Sequence, residues 1–304
     1  MHEFDLSGSR ADRLDQTDRA RKALIEDGGV ILRAALPTRA VLGLRRELTE
    51  AFAELSTEDW TWSRLRRDAG DDDLLAMRRA LFACPSNGAL FRHPRLAGFL
   101  GAVLEVETPF LHPRRWLRLN KPGTGLDKWT VPYHQDYRFV HGTQDVLTVW
   151  TPLHRCDTGG LRLELRSHRD GLRGLGERTE TNHLPPATGV NGRNLAEPVC
   201  DVGDVVVFHS LTVHATAPNF GTLNRISVDA RFQRPDDPMA REQLLPAMAP
   251  QDQLPIGAPG VLDEDPAAWS GDPAIARPAG LPLVPAGEFD LTTPAGTSRF
   301  APVP

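Results

Sequence analysis

An imidazole and a carboxylate stand two positions apart in Tyr133-His134-Gln135-Asp136-Tyr137-Arg138-Phe139. Farther along, Gly203-Asp204-Val205-Val206-Val207-Phe208-His209-Ser210-Leu211-Thr212-Val213-His214 offers two more imidazoles, and Arg225 follows eleven residues after the second. Two histidines and one carboxylate on a single face of an iron ion leave the opposite positions open for dioxygen and a cosubstrate. A planar guanidinium matches a carboxylate with two parallel hydrogen bonds. The reading that joins these residues places one Fe(II) on His134, Asp136 and His214, with Arg225 at the acid end of a cosubstrate.

Two parts of that reading have competitors. His-x-Asp is a short pattern, and His168-Arg169-Asp170 repeats it inside the polar stretch Arg166–Gly171, which reads as a turn after a strand. The first pair is favoured because Trp129, Tyr133, Tyr137 and Phe139 flank it and suit a pocket wall. On a strand, His134 and Asp136 leave the same face, and the third ligand has to fold back from a distant strand. His209 and His214 both qualify for that third place on the residues alone. If the first strand runs on through residue 138, Arg138 shares the ligand face and favours an acidic group on the substrate. A bulged strand end would instead turn Arg138 to solvent.

The elements needed to position these groups change character along the chain. Residues 11–27 read as a helix stopped at Gly28-Gly29, and Gly29–Arg33 reads as a short buried strand. A second helix opens at Pro37-Thr38, with Val41, Leu44, Leu48, Phe52 and Leu55 on one stripe. Residues 56–83, with Asp71-Asp72-Asp73, read as a solvated irregular loop. Two short helical pieces follow, split at Pro94, and Leu96, Phe99, Leu100, Val103 and Leu104 form the buried side of the second. From Pro109, short strand-like runs separated by Gly, Pro, Asn and Asp take over: 116–120, 146–151, 160–165, 204–209 and 226–232. Such a succession without intervening helices predicts a mainly β fold, a double-sheet jelly roll with helices packed outside. The division expected is one domain over 1–304. It comprises helical support at 1–108, a jelly-roll core at 109–234, and a C-terminal arm at 235–304 that holds 14 of the 26 prolines.

Bulk properties narrow the function classes. The chain has 304 residues, 40% of them hydrophobic, enough for a large core. A net charge of −5 gives no electrostatic reason to expect nucleic acid or an anionic membrane as partner. The cysteines Cys84, Cys156 and Cys200 make no metal or disulfide pattern, and Met1–Asp5 lacks the blocks of a signal peptide. A cytoplasmic enzyme acting on a small molecule is the expectation. Lys22, Lys121 and Lys128 are the only lysines, so nearly all positive charge is arginine, as a GC-rich genome would produce.

The motifs, taken in order, resemble the phytanoyl-CoA dioxygenase family of Fe(II)/2-oxoglutarate oxygenases. The matching pieces are Asn120-Lys121-Pro122-Gly123, His134-Gln135-Asp136, Thr148-Val149-Trp150-Thr151-Pro152-Leu153, Gly159-Gly160-Leu161 with Ser167-His168-Arg169, Gly203 through His214, Pro218-Asn219 and Arg225-Ile226-Ser227. Order and spacing agree over residues 109–233. The resemblance implies a double-stranded β-helix, cupin-like core, and Fe(II) with 2-oxoglutarate and O2 as cosubstrates. It selects His214 over His209 and makes Ser167-His168 a structural turn. It implies that Arg225 binds the distal carboxylate of 2-oxoglutarate with help from Thr216, and that Gln135, Trp150, Asn120 and Ser227 are further cosubstrate-pocket positions. Related halogenases replace the carboxylate ligand by a small residue, so Asp136 implies hydroxylation of a C–H bond. Desaturation, epoxidation and ring formation use the same ligands. One departure is Leu165-Arg166, where the family has Pro-Gly. The residues expected on the substrate side are Trp129, Tyr137, Arg138, Phe139 and Arg231.

Overall fold

The computed structural model describes residues 1–123, 130–140, 142–177, 185–240, 243 and 281–284. In chain order the elements are β1 (His2–Asp5), α1 (Arg10–Asp27), β2 (Gly29–Arg33), α2 (Thr38–Glu54), α3 (Trp62–Asp68), α4 (Asp71–Ala83), α5 (Pro85–Phe91), α6 (Pro94–Leu104), β3 (Phe110–Asn120), β4 (Leu147–Pro152), β5 (Leu161–Glu164), β6 (Leu195–Ala196), β7 (Val205–His209), β8 (His214–Thr216), β9 (Arg225–Gln233), β10 (Met239–Ala240) and β11 (Leu283–Val284).

A six-stranded sheet runs in the order β1-β2-β7-β4-β9-β3, and a three-stranded sheet in the order β6-β5-β8. All pairs in the large sheet are antiparallel except β1 with β2. Both faces of the large sheet are covered, and the residues say by what. Along β9, Ile226, Val228, Ala230 and Phe232 join one apolar cluster with helix residues such as Leu44, Phe52, Leu81 and Phe99. Leu147 and Val149 on β4 and Leu117 and Leu119 on β3 enter the same cluster. The alternating residues Arg225, Ser227, Asp229 and Arg231 point the other way, yet every residue of β9 is buried. A buried polar face on a sheet therefore lines the interior between the two sheets. Val206 and Phe208 of β7, Trp150 of β4 and Leu163 of β5 close that interior with a second apolar cluster. This is the expected jelly roll with its helices on one outer face.

The helical layer is set by local signals. Ser9 caps α1 and forms a reciprocal capping box with Asp12. Gly28 ends α1 at φ 76°, and a Cβ there would sit 2.4 Å from His168 Nδ1, so both the turn and the close approach require glycine. Burying each of Phe52, Phe91 and Phe99 contributes about 1.5–3 kcal/mol. The loop expected at 56–83 is instead α3 and α4. Thr61 accepts a capping bond from the Arg64 amide (3.1 Å), and Asp73 accepts one from the Gly70 amide (2.8 Å). The acidic run is thus the first turn of a helix, where carboxylates complement the helix dipole. Leu65, Met77, Ala80 and Leu81 are its buried side.

Part of the Pro-rich arm is docked. Met239–Ala240 pairs in parallel with Leu283–Val284, and Leu281 packs with Phe110 and Met239. Gln243 donates to the Phe139 carbonyl at 2.9 Å, and residues 241–242, 244–280 and 285–304 of the arm lie outside the described residues. No helix among the described residues is long and apolar enough to cross a membrane.

Candidate metal centre

His134 and His214 face each other across a single antiparallel bridge that extends the small sheet beyond β8. The His134 amide donates to the His214 carbonyl at 2.8 Å, and the His214 amide donates back at 2.9 Å. Directly opposed residues put their side chains on the same face, and the two rings lie 4.1 Å apart between centroids. Asp136 reaches them by another route than the strand period anticipated. It opens a 3-10 turn, Asp136–Arg138, whose closure is marked by the Phe139 and Val140 amides donating to the Asp136 carbonyl, each at 2.8 Å. Asp136 Oδ1 lies 3.6 Å from His134 Nε2 and 3.8 Å from His214 Nε2. One donor atom from each of the three residues lies within 4.8 Å of the others, and all three residues are buried.

The surrounding bonds orient this set. His134 Nδ1 meets the Pro132 carbonyl at 2.8 Å, and His214 Nδ1 meets the Thr212 carbonyl at 2.9 Å. With each Nδ1–H so engaged, both Nε2 lone pairs are free for a cation. Asp136 Oδ2 accepts from the Thr148 hydroxyl and from Arg231 (Nη2 at 2.8 Å, Nε at 3.2 Å), which leaves Oδ1 for the ion. Burial alone would raise the Asp136 pKa. The Arg231 charge, with the two neighbouring imidazoles, outweighs it and holds the carboxyl well below its usual range. Burial, before any other cause, pushes His214 down to about 3, so it is neutral and ready to ligate. Two imidazoles and a one-oxygen carboxylate on one side of a cavity fit Fe(II).

The metal-binding atoms face a cavity of about 380 Å³ counted with the solvent space at its opening. Trp150, Thr216 and Arg225 line it together with the two histidines. Arg225 is buried, and among the described residues it forms no salt bridge. Its Nε donates to the Gly159 carbonyl (2.6 Å), and its Nη1 donates to Ser227 Oγ (2.6 Å) and the Arg118 carbonyl (3.2 Å). Burial lowers its pKa to about 10. Asn120 acts one step back, donating to the Gly159 and Ala217 carbonyls at 2.9 Å each. Gly159 is at φ 70°, and a Cβ there would meet Asn219 Cβ at 2.8 Å.

Other expected site residues go elsewhere. Gln135 faces away from the ligands: its Nε2 donates to the Gly171 and Leu211 carbonyls (2.8 and 2.7 Å) and its Oε1 accepts the Arg173 amide (2.7 Å). Its amide ties three loops together, with both Nε2 protons and one Oε1 lone pair engaged there. Arg138 is carried by the 3-10 turn to the Arg173 carbonyl (2.6 Å), so the continued strand that would aim it at the substrate is absent. Tyr137 is buried in the same turn and does not line the cavity. Phe139 packs edge-on against His134 at 5.9 Å. Arg231 does line the cavity, but its guanidinium is committed to Asp136 and Asp229. Trp129 lies outside the described residues. His209 sits behind the wall beside Asp145 (3.8 Å) and His168. Ser167 Oγ donates to the Glu164 carbonyl and accepts the Val213 amide, bracing the approach to β8. Arg166, standing where the family has glycine, takes φ 70°, and its guanidinium pairs with Asp27 and Glu26. Thr148, Asp229 and Arg118 were not anticipated. Their signal was strict alternation on β3, β4 and β9, which reads equally well as a solvated face.

The profile of the phytanoyl-CoA dioxygenase family matches residues 24–227. The chain is 26% identical to the 1-deoxypentalenic acid 11-beta-hydroxylase of Streptomyces exfoliatus over 241 residues, covering 72% of this chain and 82% of that one. It is 30% identical to the enzyme of the same name from Streptomyces arenae over 128 residues, or 37% of this chain and 44% of that one. Among solved structures, the epimerase SnoN in complex with Fe3+ and alpha ketoglutarate superposes with a TM-score of 0.56 at 17% identity, covering 83% and 93% of the two chains. EvdO2 from Micromonospora carbonacea var. aurantiaca gives 0.53 at 19% identity, covering 71% and 90%. The carbocyclase SnoK from nogalamycin biosynthesis gives 0.51 at 18%, covering 77% and 87%.

Proposed function

This chain belongs to the phytanoyl-CoA dioxygenase family, and we propose from that premise that it hydroxylates an unactivated C–H bond of a small organic metabolite in bacterial secondary metabolism. It is an Fe(II)/2-oxoglutarate-dependent oxygenase. The observation that carries the reading is the convergence of His134, Asp136 and His214 on one point in the same cavity as Arg225, a buried guanidinium with no salt bridge among the described residues. A bound iron supplies dioxygen activation there, with 2-oxoglutarate as the co-reductant that leaves as succinate.

The chain's own groups do the positioning. His134 Nε2, His214 Nε2 and Asp136 Oδ1 hold the ion, and Thr148 and Arg231 keep the second carboxylate oxygen of Asp136 off it. Arg225, fixed by the Gly159 carbonyl and by Ser227, receives the distal carboxylate of 2-oxoglutarate, and the Thr216 hydroxyl donates to the same group. Trp150, Leu161 and Phe208 supply the apolar wall that keeps water from the reacting C–H bond. Hydroxylation is favoured by the intact carboxylate ligand and by the hydroxylases from Streptomyces among the relatives. Desaturation or ring formation would be read from a product lacking the added oxygen atom.

Purified protein given Fe(II), ascorbate and labelled 2-oxoglutarate should form succinate slowly even without substrate. Arg225→Met and His214→Ala should each abolish it. Iron-loaded protein that releases no succinate would be a catalytically silent metal-binding jelly roll, and the proposal would fall.

A further inference from the structure

The polar groups that run from the metal ligand along the cavity wall form an array of alternating sign. Asp136 Oδ2 is held by Arg231, and Arg231 also binds one oxygen of Asp229. The other oxygen of Asp229 accepts from Arg118 Nε at 2.8 Å. Arg118 lines the cavity, and its guanidinium lies 5.1 Å from the Trp116 ring centroid. Arg78, reaching in from α4, lies 5.2 Å from the same centroid. Here the alternation breaks: two cations share one aromatic ring. Among the described residues, Arg78 has no carboxylate partner, and its Nε is shut off from solvent with no hydrogen-bond acceptor. Burial, followed by the charge of Arg118, lowers the Arg78 pKa to about 10.

A charge count over the loaded site points the same way. Fe(II), Asp136, the two carboxylates of 2-oxoglutarate and Arg225 cancel. Arg231 and Asp229 cancel. Arg118 and Arg78 remain, two positive charges in a partly buried setting where an unpaired charge is costly. A neutral substrate would leave that excess in place. An anionic one would remove half of it.

We infer that the substrate carries an acidic group, a carboxylate in the first instance, that docks where Arg118 lines the cavity and where Arg118 and Arg78 share the Trp116 ring, so that the rest of the molecule extends toward the iron. This rests on the proposed function and names the substrate class for the same site. Trp116 supplies a flat apolar contact next to the acid, and the guanidinium of Arg78 supplies two parallel donors. A site built around such donors rejects the uncharged analogue, because binding it leaves the donors unpaired.

The test uses Fe(II)-loaded full-length enzyme, 2-oxoglutarate, and matched pairs of hydrophobic carboxylic acids and their methyl esters, with 1-deoxypentalenic acid among them. Stimulation of succinate formation above the substrate-free rate is the readout. Acids should stimulate and their esters should not. For a stimulating acid, Arg78→Gln should raise KM about 10- to 100-fold with kcat held within about twofold, and Arg78→Lys, which keeps the charge without the fork, should recover part of that loss. An ester as effective as its acid would overturn the inference. So would a KM unmoved by Arg78→Gln, or a panel in which no acid stimulates although substrate-free succinate forms. Absence of substrate-free succinate would instead count against the oxygenase reading on which the inference stands.

Discussion

Replacing Arg225 by lysine keeps the charge and removes the fork. In the structure, two of the three guanidinium nitrogens are already spent on positioning: Nε on the Gly159 carbonyl, Nη1 on Ser227 and the Arg118 carbonyl. The plane of the guanidinium is therefore fixed before a cosubstrate arrives, with the two Nη2 protons left for a carboxylate. A lysine ammonium has no such plane and cannot span the same acceptors. Losing one or two charge-assisted bonds costs about 3 kcal/mol, or roughly 150-fold in 2-oxoglutarate affinity. Ni(II)-loaded protein, which does not turn over, allows the affinity to be read by thermal shift. At a ligand concentration of about 100 times the parent Kd, binding stabilises the parent by about 2.7 kcal/mol. That corresponds to a Tm rise of roughly 4 °C for a chain of 304 residues. Under the same conditions Arg225→Lys should gain only about 0.3 kcal/mol, a shift of under about 1 °C. A variant that keeps the full shift would show that the distal carboxylate binds elsewhere and would undo the cosubstrate assignment.

Three further outcomes follow from the same contacts. Arg231→Met strips the shared cation from Asp136 and Asp229, so the metal-free protein should lose about 3–5 kcal/mol in urea unfolding. Added Co(II) should restore part of that loss, because the ion replaces one missing positive charge. Gln135→Ala leaves the Gly171 and Leu211 carbonyls and the Arg173 amide without partners, and should cost about 2–3 kcal/mol in the same assay. The third concerns acid. Burial depresses His112 to about 3 and both His154 and His168 to about 4. Unfolded, these histidines titrate near 6.5, so the unfolded chain binds more protons between about pH 6.5 and pH 4. Their contribution is complete above pH 6.5 and falls as pH drops toward 4, by at most about 1.4 kcal/mol per unit for each. For His154 the loss has a visible cause: its Nε2 accepts the Ile226 amide on β9 and cannot do so once protonated, and Arg66 and Arg225 stand nearby. Urea midpoints of metal-free protein should fall between pH 7 and pH 4.5, and a flat profile would contradict the burial argument.

Much of the architecture was legible because it rests on local periods. The strands from β3 to β9 show apolar alternation between turn residues, and α2 and α6 show steps of three and four. Helices α3 and α4 escaped because arginines and aspartates crowd around the few residues that carry their stripes, Leu65, Met77, Ala80 and Leu81. Their capping residues, Thr61 and Asp73, were the stronger signal. Arg138 was misplaced for a reason in the backbone, whereas the pocket place of Gln135 came from the family resemblance and not from the period. The strand period was continued through a segment where the backbone had already turned into a 3-10 coil, so residues after Asp136 no longer alternate.

The arginines show where reading along the chain stops being sufficient. A GC-rich coding bias accounts for arginine everywhere and so predicts nothing about any single one. In a strand such as Arg225–Gln233 the polar residues fall on one face, and the local pattern is the same whether that face meets water or another sheet. What separates the cases is non-local. The small sheet, closed by the bridge from His134 to His214, covers this face and removes water from it. Once water is gone, each guanidinium has to find an anion or carbonyl, and the planar fork becomes the useful property. Arg231 spans two carboxylates, and Arg225 is held by two carbonyls and a hydroxyl while it keeps donors for an incoming acid. A lysine at either place would supply the charge without the span. The barrel interior therefore gives individual arginines distinct work that the composition could not assign, and it does so through the same fold that gathers the three metal ligands.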